Sequence, residues 1–363
     1  MHIAIDATPL LVRSAGVKNF LYHWITHLRL QAGRDSIHTF PHLSHLGPLD
    51  HNASVAGGPR TAAGLGVLAL SNYTPLPVID WLTGGADVFH ASVLVRRPPR
   101  RARLTATIHD MTAWTMPELH LAANRRAESS FAEIARAAAR LIAVSQCTKD
   151  DAVRVLGLAP DKITVIHSGV ADAFFDPPAD AVKSVRARYR LTRPFVLFVG
   201  TIEPRKNVDT LIAAFAGLPK SIRDEYELVV AGPMGWAAPE TRARLASARY
   251  LGYIPEVDLA PLTAAATVFA YPSLYEGFGF PVAQAMAAGA AVITSNVSSL
   301  PEIGGDGVLT VDPRSEHELR EALSRILLGS DLRADLARRG RDRAERFRWP
   351  VCAARSLEFF HSL

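Results

Sequence analysis

Short apolar segments that alternate with helical segments constrain this sequence more than any other feature. The segments 104–108 and 195–199 are five residues long, apolar or β-branched, and each ends at a Gly or a His before a helical pattern resumes. Strands that alternate with helices are typical of a parallel sheet. We therefore predict an α/β fold in which ligands bind beyond the carboxyl ends of the strands.

Chain length and a break in this pattern predict two domains. The chain has 363 residues, of which 48% are hydrophobic, and this is enough for two ordinary cores. The segment 177–193 opens with two prolines and is rich in charge, so we interpret it as a linker. We expect one Rossmann-like domain over 1–176 and another over 194–346. The pattern breaks again near Trp349, so the final segment 347–363 is expected to pack back on the first domain.

Composition and charge argue against several classes of protein. Two cysteines, Cys147 and Cys352, are too few for a disulfide framework and predict a reducing, cytoplasmic location. The N-terminal residues read as a first strand rather than a signal peptide, and no apolar run approaches the roughly 20 residues that span a bilayer. The net charge is +5, but the sequence lacks the basic-aromatic, zinc-finger and helix-turn-helix patterns of nucleic-acid binders. No nucleic acid is expected as a partner.

One basic segment, 96–103, contains a cluster of arginines. Its members are Arg96, Arg97, Arg100, Arg101 and Arg103. One interpretation is a solvated loop before a strand. The other is peripheral contact with an anionic lipid surface at the inner face of a membrane, or with a phosphorylated acceptor.

The segment 271–284 has the pattern of a ligand-binding loop. An apolar strand stops at Pro272, and the loop that follows carries one acid, Glu276. Gly277 and Gly279 allow the backbone to approach a ligand closely, because they have no Cβ. A helix then begins near Pro281, so amides and a helix dipole meet at one place and favour an anion. The alternative is an ordinary glycine-rich turn of an α/β protein.

A second candidate loop follows the strand at 195–199. Arg205 and Lys206 come directly before a predicted helix start, with Asn207 as its expected N-cap. Two cations at a helix N-terminus favour a diphosphate, and the alternative is a solvated Arg-Lys pair. Tyr253 and Ile254 follow a short strand farther along the chain and could hold a nucleotide base.

The first half of the chain offers fewer candidates. Gly16 and Lys18 lie where a strand-to-helix loop is expected to open. His109 and Asp110 end a clear strand, and a polar pair at a strand tip points towards a ligand site. The alternative for His109 is a core histidine whose hydrogen bonds are satisfied.

These segments together resemble glycosyltransferase family 4, a family of retaining enzymes with the GT-B fold. The resemblance covers nearly the whole chain and rests on six segments, 16–20, 108–110, 144–145, 167–170, 198–207 and 275–281. The nearest subgroup consists of bacterial mannosyl- and hexosyltransferases of surface polysaccharide synthesis. The resemblance implies two Rossmann-like domains with parallel sheets that face a central cleft. It also implies transfer of a hexose, with mannose from GDP-mannose favoured, to a hydroxyl of a carbohydrate or lipid-linked acceptor.

The resemblance further implies roles for individual residues, with no cofactor and no metal. Arg205 and Lys206 would bind the diphosphate, Glu276 would contact sugar hydroxyls, and His109 would act on the same sugar from the other domain. The expected donor-binding positions are Gly16, Gly200, Arg205, Lys206, Tyr253, Ile254, Glu276, Gly277, Phe278, Gly279, Phe280 and Gln284.

One departure from the family pattern concerns the donor. Gln284 stands where the family has a second acid that holds the ribose hydroxyls. An amide cannot form the charge-assisted hydrogen bond, which contributes about 1.5–3 kcal/mol, so donor affinity and nucleotide preference are open. A non-catalytic subunit that binds sugar nucleotides, and a nucleotide-sugar epimerase, are the alternative functions.

Overall fold

The computed structural model describes residues 1–14, 16–119, 122–236 and 239–363, and of residues 122–129 only the backbone. The chain forms two compact units. The first comprises Met1–Gly169 and Trp349–Leu363, and the second comprises Val170–Arg348. Each unit has one six-stranded sheet in which every pairing is parallel, so the predicted α/β class is confirmed.

The first unit is built on the strand order β2-β1-β3-β4-β5-β6. Its strands are β1 His2–Asp6, β2 Ser36–Phe40, β3 Val88–Ala91, β4 Arg103–Ile108, β5 Arg140–Ala143 and β6 Ile163–Val165. Its helices up to this point are α1 Gly16–Gln31, α2 Gly58–Tyr73, α3 Val78–Thr83, α4 Thr112–Thr115, α5 Ala122–Ala137 and α6 Gln146–Leu156. Phe89, Ile108 and Leu141 are almost fully buried between the sheet and its helices.

Helix α2 lies within the weakly patterned residues 41–75, which by sequence alone read as loops, so the interpretation of this stretch was wrong. The 16 residues of α2 bury only Gly64 and Ser71 completely, and a helix with so small a buried face has no clear apolar period. Gly64 is needed for packing, because a Cβ there would lie 2.7 Å from a methyl group of Leu11.

The second unit has the strand order β12-β11-β10-β7-β8-β9. Its strands are β7 Phe195–Val199, β8 Glu227–Ala231, β9 Arg249–Gly252, β10 Val268–Tyr271, β11 Ala291–Ser295 and β12 Val308–Val311. Its helices are α7 Ala179–Arg188, α8 Val208–Ala216, α9 Lys220–Glu225, α10 Pro239–Arg244, α11 Glu256–Ala264, α12 Phe280–Ala287, α13 Leu300–Gly304, α14 Glu316–Leu328 and α15 Ser330–Ala344.

The segment 177–193, which we interpreted as a linker, contains α7 and lies within the second unit. Pro178 stands at the N-cap of this helix, a position where proline does not interrupt it. A carboxylate oxygen of Asp258 on α11 lies 2.6 Å from the Arg188 guanidinium, and the hydroxyl of Tyr189 donates to the same carboxylate. Polar contacts therefore fix α7 to α11.

The last helix, α16 Trp349–His361, belongs to the first unit, where it packs on α1. Trp24 on α1 is fully buried and its Nε1 donates to Ser356 Oγ at 2.9 Å. Gly169 lies so close to Trp349 that a Cβ would stand 2.3 Å from the indole ring. Five apolar residues at helical spacing form the face of α1 that is buried, and they are Phe20, Leu21, Trp24, Ile25 and Leu28.

Candidate active site

The candidate donor site lies where the strand order of the second sheet reverses. The chain passes from β7 to β8 and β9 on one side, and β10 then returns to the other side of β7. The connections that leave β7 and β10 diverge, and ligands of open α/β sheets bind in the crevice between such strands. Arg205 and Lys206 follow β7, and Glu276 follows β10. Strand order thus brings the two predicted loops together.

Backbone and side-chain hydrogen bonds join these two loops directly. The amide of Leu274 donates to the carbonyl of Arg205 at 2.8 Å. The side-chain amide of Asn207 donates to the carbonyls of Pro272 and Pro313 at 3.0 and 2.7 Å. Asn207 occupies the N-cap position of α8 in a left-handed conformation, φ 57°, but its side chain does not cap the helix. The predicted N-cap position is therefore confirmed, although the Asn207 side-chain oxygen accepts from the Thr210 hydroxyl at 2.7 Å rather than from a backbone amide, and the side-chain amide joins neighbouring loops.

Two cations and two carboxylates form one buried group at this point. Lys206 Nζ lies 2.6 Å from one carboxylate oxygen of Glu276, and Arg205 lies 3.1 Å from the other. Arg205 also pairs with Glu203 at 2.7 Å. Each of these four side chains is at most 15% exposed, so their formal charges cancel within a desolvated cluster.

Electrostatics keep Glu276 ionised. Burial raises the pKa of this carboxyl, but Lys206, Arg205 and the hydrogen bonds to it outweigh burial and lower the pKa to about 2. Burial and the neighbouring Arg205 lower the pKa of Lys206, while Glu276 and Glu203 partly oppose them. Burial also raises the pKa of the Tyr271 hydroxyl, which donates to Glu276 at 2.9 Å.

Hydroxyl groups that the sequence analysis did not select hold the Glu276 loop. Ser273 Oγ donates to the Glu276 carboxylate at 2.8 Å, and Ser298 Oγ accepts from the Glu276 amide at 3.0 Å. Ser299 Oγ donates to the carbonyls of Glu276 and Phe278 at 2.9 and 3.0 Å. Ser298 and Ser299 follow β11, which pairs with β10. The signal that could have identified them was their place just beyond a strand end.

The glycine-rich part of the loop is tightly packed. Gly279 adopts φ 95° before α12, and a Cβ there would lie 2.8 Å from a methyl group of Leu300. Gly277 is buried, and the rings of Phe278 and Phe280 pack edge to face at 5.2 Å. Gln284 is half-buried on α12, and its side-chain amide forms no hydrogen bond with the described residues.

The other predicted donor positions in the second unit lie near the carboxyl ends of its strands, whereas Gly16 begins α1 in the first unit, and its assignment to the donor stays a prediction. Gly200 follows β7, and Gly232 after β8 approaches it so closely that a Cβ on Gly232 would lie 2.0 Å from the Gly200 carbonyl oxygen. Tyr253 and Ile254 follow β9, two strands from β7; Tyr253 is exposed and Ile254 is buried. Their assignment to the nucleotide stays a prediction.

The first sheet has its own reversal of strand order, between β1 and β3. Asp6 ends β1 and is fully buried. One of its carboxylate oxygens accepts from the amide and hydroxyl of Thr8 at 3.0 and 2.7 Å, and the other accepts from the amide and hydroxyl of Ser92, just beyond β3. Burial raises the pKa of Asp6 despite these bonds. The carboxylate fixes the two strand ends to each other.

His109 follows β4 and lies beside a small cavity lined also by Asp6, His90 and Thr107. Its ring packs edge to face on Phe20 at 4.8 Å. Burial lowers the pKa of His109 to about 4, although Asp110 opposes this shift, so the ring is neutral at physiological pH. The Asp110 carboxylate accepts from the amide and hydroxyl of Thr112 at 3.0 and 2.6 Å and therefore orders the following turn.

Lys18 does not lie in an open loop, so the expectation for this residue was wrong. Helix α1 begins at Gly16, and Lys18 is a buried residue of its first turn. The Lys18 ammonium donates to the carbonyls of Asp50 and Ala53 at 3.1 and 2.8 Å. It anchors the segment after β2 rather than presenting a cation to a ligand.

Two kinds of feature are absent from the described residues. Among residues 1–14, 16–119, 122–236 and 239–363, no three His, Cys, Asp or Glu side chains form a group that could hold a metal ion. In the same part of the chain, no helix is long and apolar enough to cross a membrane.

Two units that each surround a six-stranded parallel sheet define the GT-B class of glycosyltransferases, and solved structures agree with this fold. Sucrose-phosphate synthase from Thermosynechococcus elongatus superimposes with a TM-score of 0.76 at 22% identity, over 100% of this chain and 98% of that one. Anabaena HepE in complex with UDP and glucose superimposes with a TM-score of 0.74 at 19% identity, over 100% of both chains. WaaG, a glycosyltransferase involved in lipopolysaccharide biosynthesis, superimposes with a TM-score of 0.66 at 17% identity, over 99% of both chains.

Sequence comparison identifies the family. Residues 183–343 match the model of glycosyl transferases group 1, and residues 73–174 match that of glycosyltransferase family 4. The O-antigen chain mannosyltransferase B of Escherichia coli is 33% identical over 274 residues, which are 73% of this chain and 72% of that protein. The chain belongs to this family of glycosyltransferases, as its motifs predicted. It is also 28% identical to the serotype-specific mannosyltransferase WbdA of Escherichia coli over 82% of its own length, but this match spans only 38% of WbdA.

Proposed function

We propose that this glycosyltransferase moves mannose from GDP-mannose to a sugar hydroxyl of a lipid-linked saccharide, with retention at the anomeric carbon. The observation that carries the donor site is the Arg205–Lys206–Glu276 group at the strand-order reversal of a matched glycosyltransferase domain. The names of the Escherichia coli relatives support mannose and a role in surface polysaccharide synthesis. Retention follows from the family resemblance.

In this proposal the two cations bind the diphosphate of the donor. The bond between the anomeric carbon and the diphosphate oxygen breaks, the acceptor oxygen bonds to that carbon, and the acceptor proton passes to the diphosphate. Negative charge therefore grows on the leaving group, and preorganised cations stabilise it most in a desolvated site. The side chains of Arg205 and Lys206 are only 15% and 12% exposed, and both are fixed by hydrogen bonds, which supports this role. No cofactor and no metal are part of the proposed reaction.

Glu276 is proposed to contact the hydroxyl groups of the donor sugar. A diphosphate that binds Arg205 and Lys206 would weaken the ion pairs of these cations with Glu276. The Glu276 carboxylate would then accept hydrogen bonds from sugar hydroxyls. Tyr271 and Ser273 hold the carboxylate in place while its cationic partners change. His109 is proposed to donate or accept one hydrogen bond to the sugar as a neutral imidazole.

One observation favours a different donor. Anabaena HepE, which shares the fold, has been solved with UDP-glucose and with UDP and glucose. Gln284, in place of the acid that the family uses for ribose, leaves the nucleotide preference open. UDP-glucose is therefore the second candidate donor.

A thermal-shift screen of GDP-mannose, UDP-glucose and an ADP-sugar, followed by transfer assays, tests the proposal. A donor present at 100 times its dissociation constant adds roughly 2.7 kcal/mol to the free energy of unfolding. We expect GDP-mannose to give the largest shift and to yield an α-linked product on a mannose-terminated acceptor, as read by NMR. Lys206→Ala should lower turnover at least tenfold with the fold intact.

The same assay separates the alternative functions. Conversion of the donor sugar without an acceptor would identify an epimerase. Tight binding of a sugar nucleotide with no transfer to any acceptor would identify a non-catalytic subunit. A larger thermal shift and faster transfer with UDP-glucose would contradict GDP-mannose as the donor but would leave the assignment of the donor site unchanged.

A further inference from the structure

Large apolar side chains are exposed together around the end of α2 and along α3. Tyr73, Leu76, Trp81 and Leu82 are 71%, 46%, 63% and 60% exposed. Leu76 stands between two prolines in the turn that joins the two helices, and Trp81 and Leu82 lie on α3. Exposed apolar groups clustered in this way mark an interaction surface more often than scattered ones do.

The arginine-rich segment 96–103 adjoins this apolar group through direct contacts. The Arg96 guanidinium lies over the ring of Tyr73 at 5.5 Å, and Arg97 donates to the carbonyl of Thr74 at 2.6 Å. The carboxylate of Asp80 accepts from the backbone amides of Arg100 and Arg101 at 3.1 and 3.2 Å. The apolar and basic groups therefore form one surface, which we call the Trp81–arginine surface.

Side-chain hydrogen bonds also fix this surface to the body of the unit. The side-chain amide of Asn72 donates to the carbonyl of Leu94 at 2.9 Å, and its oxygen accepts from the amide of Arg96 at 2.9 Å. Side-chain and backbone polar groups thus hold the segment in place, and the guanidinium groups of Arg100 and Arg101 are left at the surface.

The charge of this surface is strongly positive, and no acidic side chain among the described residues pairs with it. Residues 70–103 contain five arginines but only two acids, Asp80 and Asp87. Both acids accept hydrogen bonds from backbone amides, at Arg100 and His2. Among the residues that the structure describes, none forms an ion pair with any of the five arginines. These guanidinium groups are therefore available to anions outside the protein.

We propose that the Trp81–arginine surface binds peripherally to an anionic lipid bilayer. Trp and Tyr favour the headgroup level, aliphatic side chains enter the acyl boundary, and arginines pair with lipid phosphates. A protein partner would have to bury and pair several arginines, whereas a bilayer presents phosphates at the depth where the aromatic rings lie. This inference depends on the first unit alone and does not require the proposed donor or acceptor to be correct.

Sedimentation of the full chain with vesicles tests this proposal. We expect at least tenfold stronger binding to vesicles of phosphatidylcholine with phosphatidylglycerol than to phosphatidylcholine alone. Binding should fall when NaCl rises from about 0.1 to about 0.5 M, because salt screens the surface charge. Trp81→Ser and Arg100→Gln/Arg101→Gln should each weaken binding at least fivefold, since they remove the apolar and the charged contribution separately. Neither variant removes a side-chain contact that holds the fold.

A matched pair of variants controls for total charge. Lys183→Gln/Arg242→Gln removes the same charge from exposed positions of the second unit and should bind like the parent protein. Equal binding to both kinds of vesicle, unchanged binding by both test variants, or an equal loss in the control pair would overturn the proposal. Loss of vesicle binding in inorganic phosphate, but not in NaCl of the same ionic strength, would also overturn it by indicating a site for a free anion.

Discussion

Lys206 Nζ lies 2.6 Å from a carboxylate oxygen of Glu276, so the cation expected to bind a phosphate is paired with the acid expected to bind the sugar. Glu276 is buried and the Lys206 side chain is only 12% exposed, and the same carboxylate also accepts from Tyr271 and Ser273. A diphosphate must therefore compete with Glu276 for Lys206. Under the proposed function, affinity for the leaving group and contact with the sugar are therefore coupled through this ion pair.

Glu276→Gln should separate these two effects. Glutamine keeps the length of the side chain but removes its charge, so Lys206 loses its anionic competitor. We expect the nucleoside diphosphate without sugar to bind at least threefold more tightly, as measured by calorimetry, while transfer slows at least tenfold. Glu240→Gln, at an exposed position on α10, should change neither quantity. Weaker binding of the nucleoside diphosphate by Glu276→Gln would contradict the coupling.

Gln284→Glu should change donor affinity or nucleotide choice. The side chain lies half-buried on α12 and forms no hydrogen bond with the described residues, so a carboxylate can replace the amide without loss of a contact. A new charge-assisted bond to ribose would contribute about 1.5–3 kcal/mol, or roughly tenfold or more in affinity. Titration of GDP- and UDP-sugars measures this directly. Identical affinities in both proteins would place the ribose away from position 284.

Lys18→Met should destabilise the first unit without affecting donor binding. The variant leaves the carbonyls of Asp50 and Ala53 without their donor, which costs about 1–3 kcal/mol for groups of this kind. Urea unfolding and calorimetric titration of the donor measure the two quantities. Lys183→Met, at an exposed position, is the control and should leave stability nearly unchanged. If Lys18→Met bound donor weakly at full stability, the residue would be a ligand contact after all.

His90 should make the first unit sensitive to acid. Burial, with a smaller contribution from His109, lowers the pKa of His90 to about 3, whereas an unfolded histidine has a pKa near 6.5. Between these values the unfolded chain binds a proton that the folded chain does not. Stability is therefore complete above about pH 6.5 and falls as pH decreases towards 3, by about 2 kcal/mol at pH 5 from this residue alone.

Urea unfolding at several pH values, followed by tryptophan fluorescence, tests this expectation. Trp24 lies 4.8 Å from the His90 ring and reports on the same core. His90→Gln should reduce the loss of stability between pH 7 and pH 5 by about 2 kcal/mol, whatever its effect on stability at pH 7. His38→Gln, at an exposed position, should leave the slope unchanged. An unchanged slope in His90→Gln would show that other groups cause the acid sensitivity.

Gly232→Ala should unfold or distort the loops at the carboxyl ends of β7 and β8, beside the candidate site. Gly232 has φ 134°, and a Cβ would lie 2.0 Å from the Gly200 carbonyl oxygen, which belongs to backbone that cannot yield easily. We expect destabilisation of about 3 kcal/mol or more. Gly66→Ala is the matched control, since α2 is helical there and nothing lies within 4 Å; it should stabilise the protein by about 0.5–1 kcal/mol. The denaturant midpoints of both variants measure these changes in stability, and a midpoint of Gly232→Ala equal to that of the parent protein would contradict the prediction.

The sequence by itself determined the strands and helices next to the candidate donor site. Period and composition predicted β10, the loop with Glu276 and the start of α12, because these depend on neighbours within a few residues. Helix α2 was not predicted, because its buried face is so small that the sequence shows no helical period of apolar residues. The burial of Lys18 was not predicted either, since the carbonyl groups that accept from it lie more than 30 residues away in the sequence.

Only the tertiary structure decided which of those loops meet. Lys206 and Glu276 are 70 residues apart, and they pair because β10 inserts beside β7 rather than beside β9. The same strand order brings Ser298 and Ser299 to the Glu276 loop, and it brings the carbonyls of Pro272 and Pro313 to the side-chain amide of Asn207. Local patterns specify an element because backbone propensity and side-chain period are properties of adjacent residues. The order of strands depends on how all the elements bury their apolar faces together.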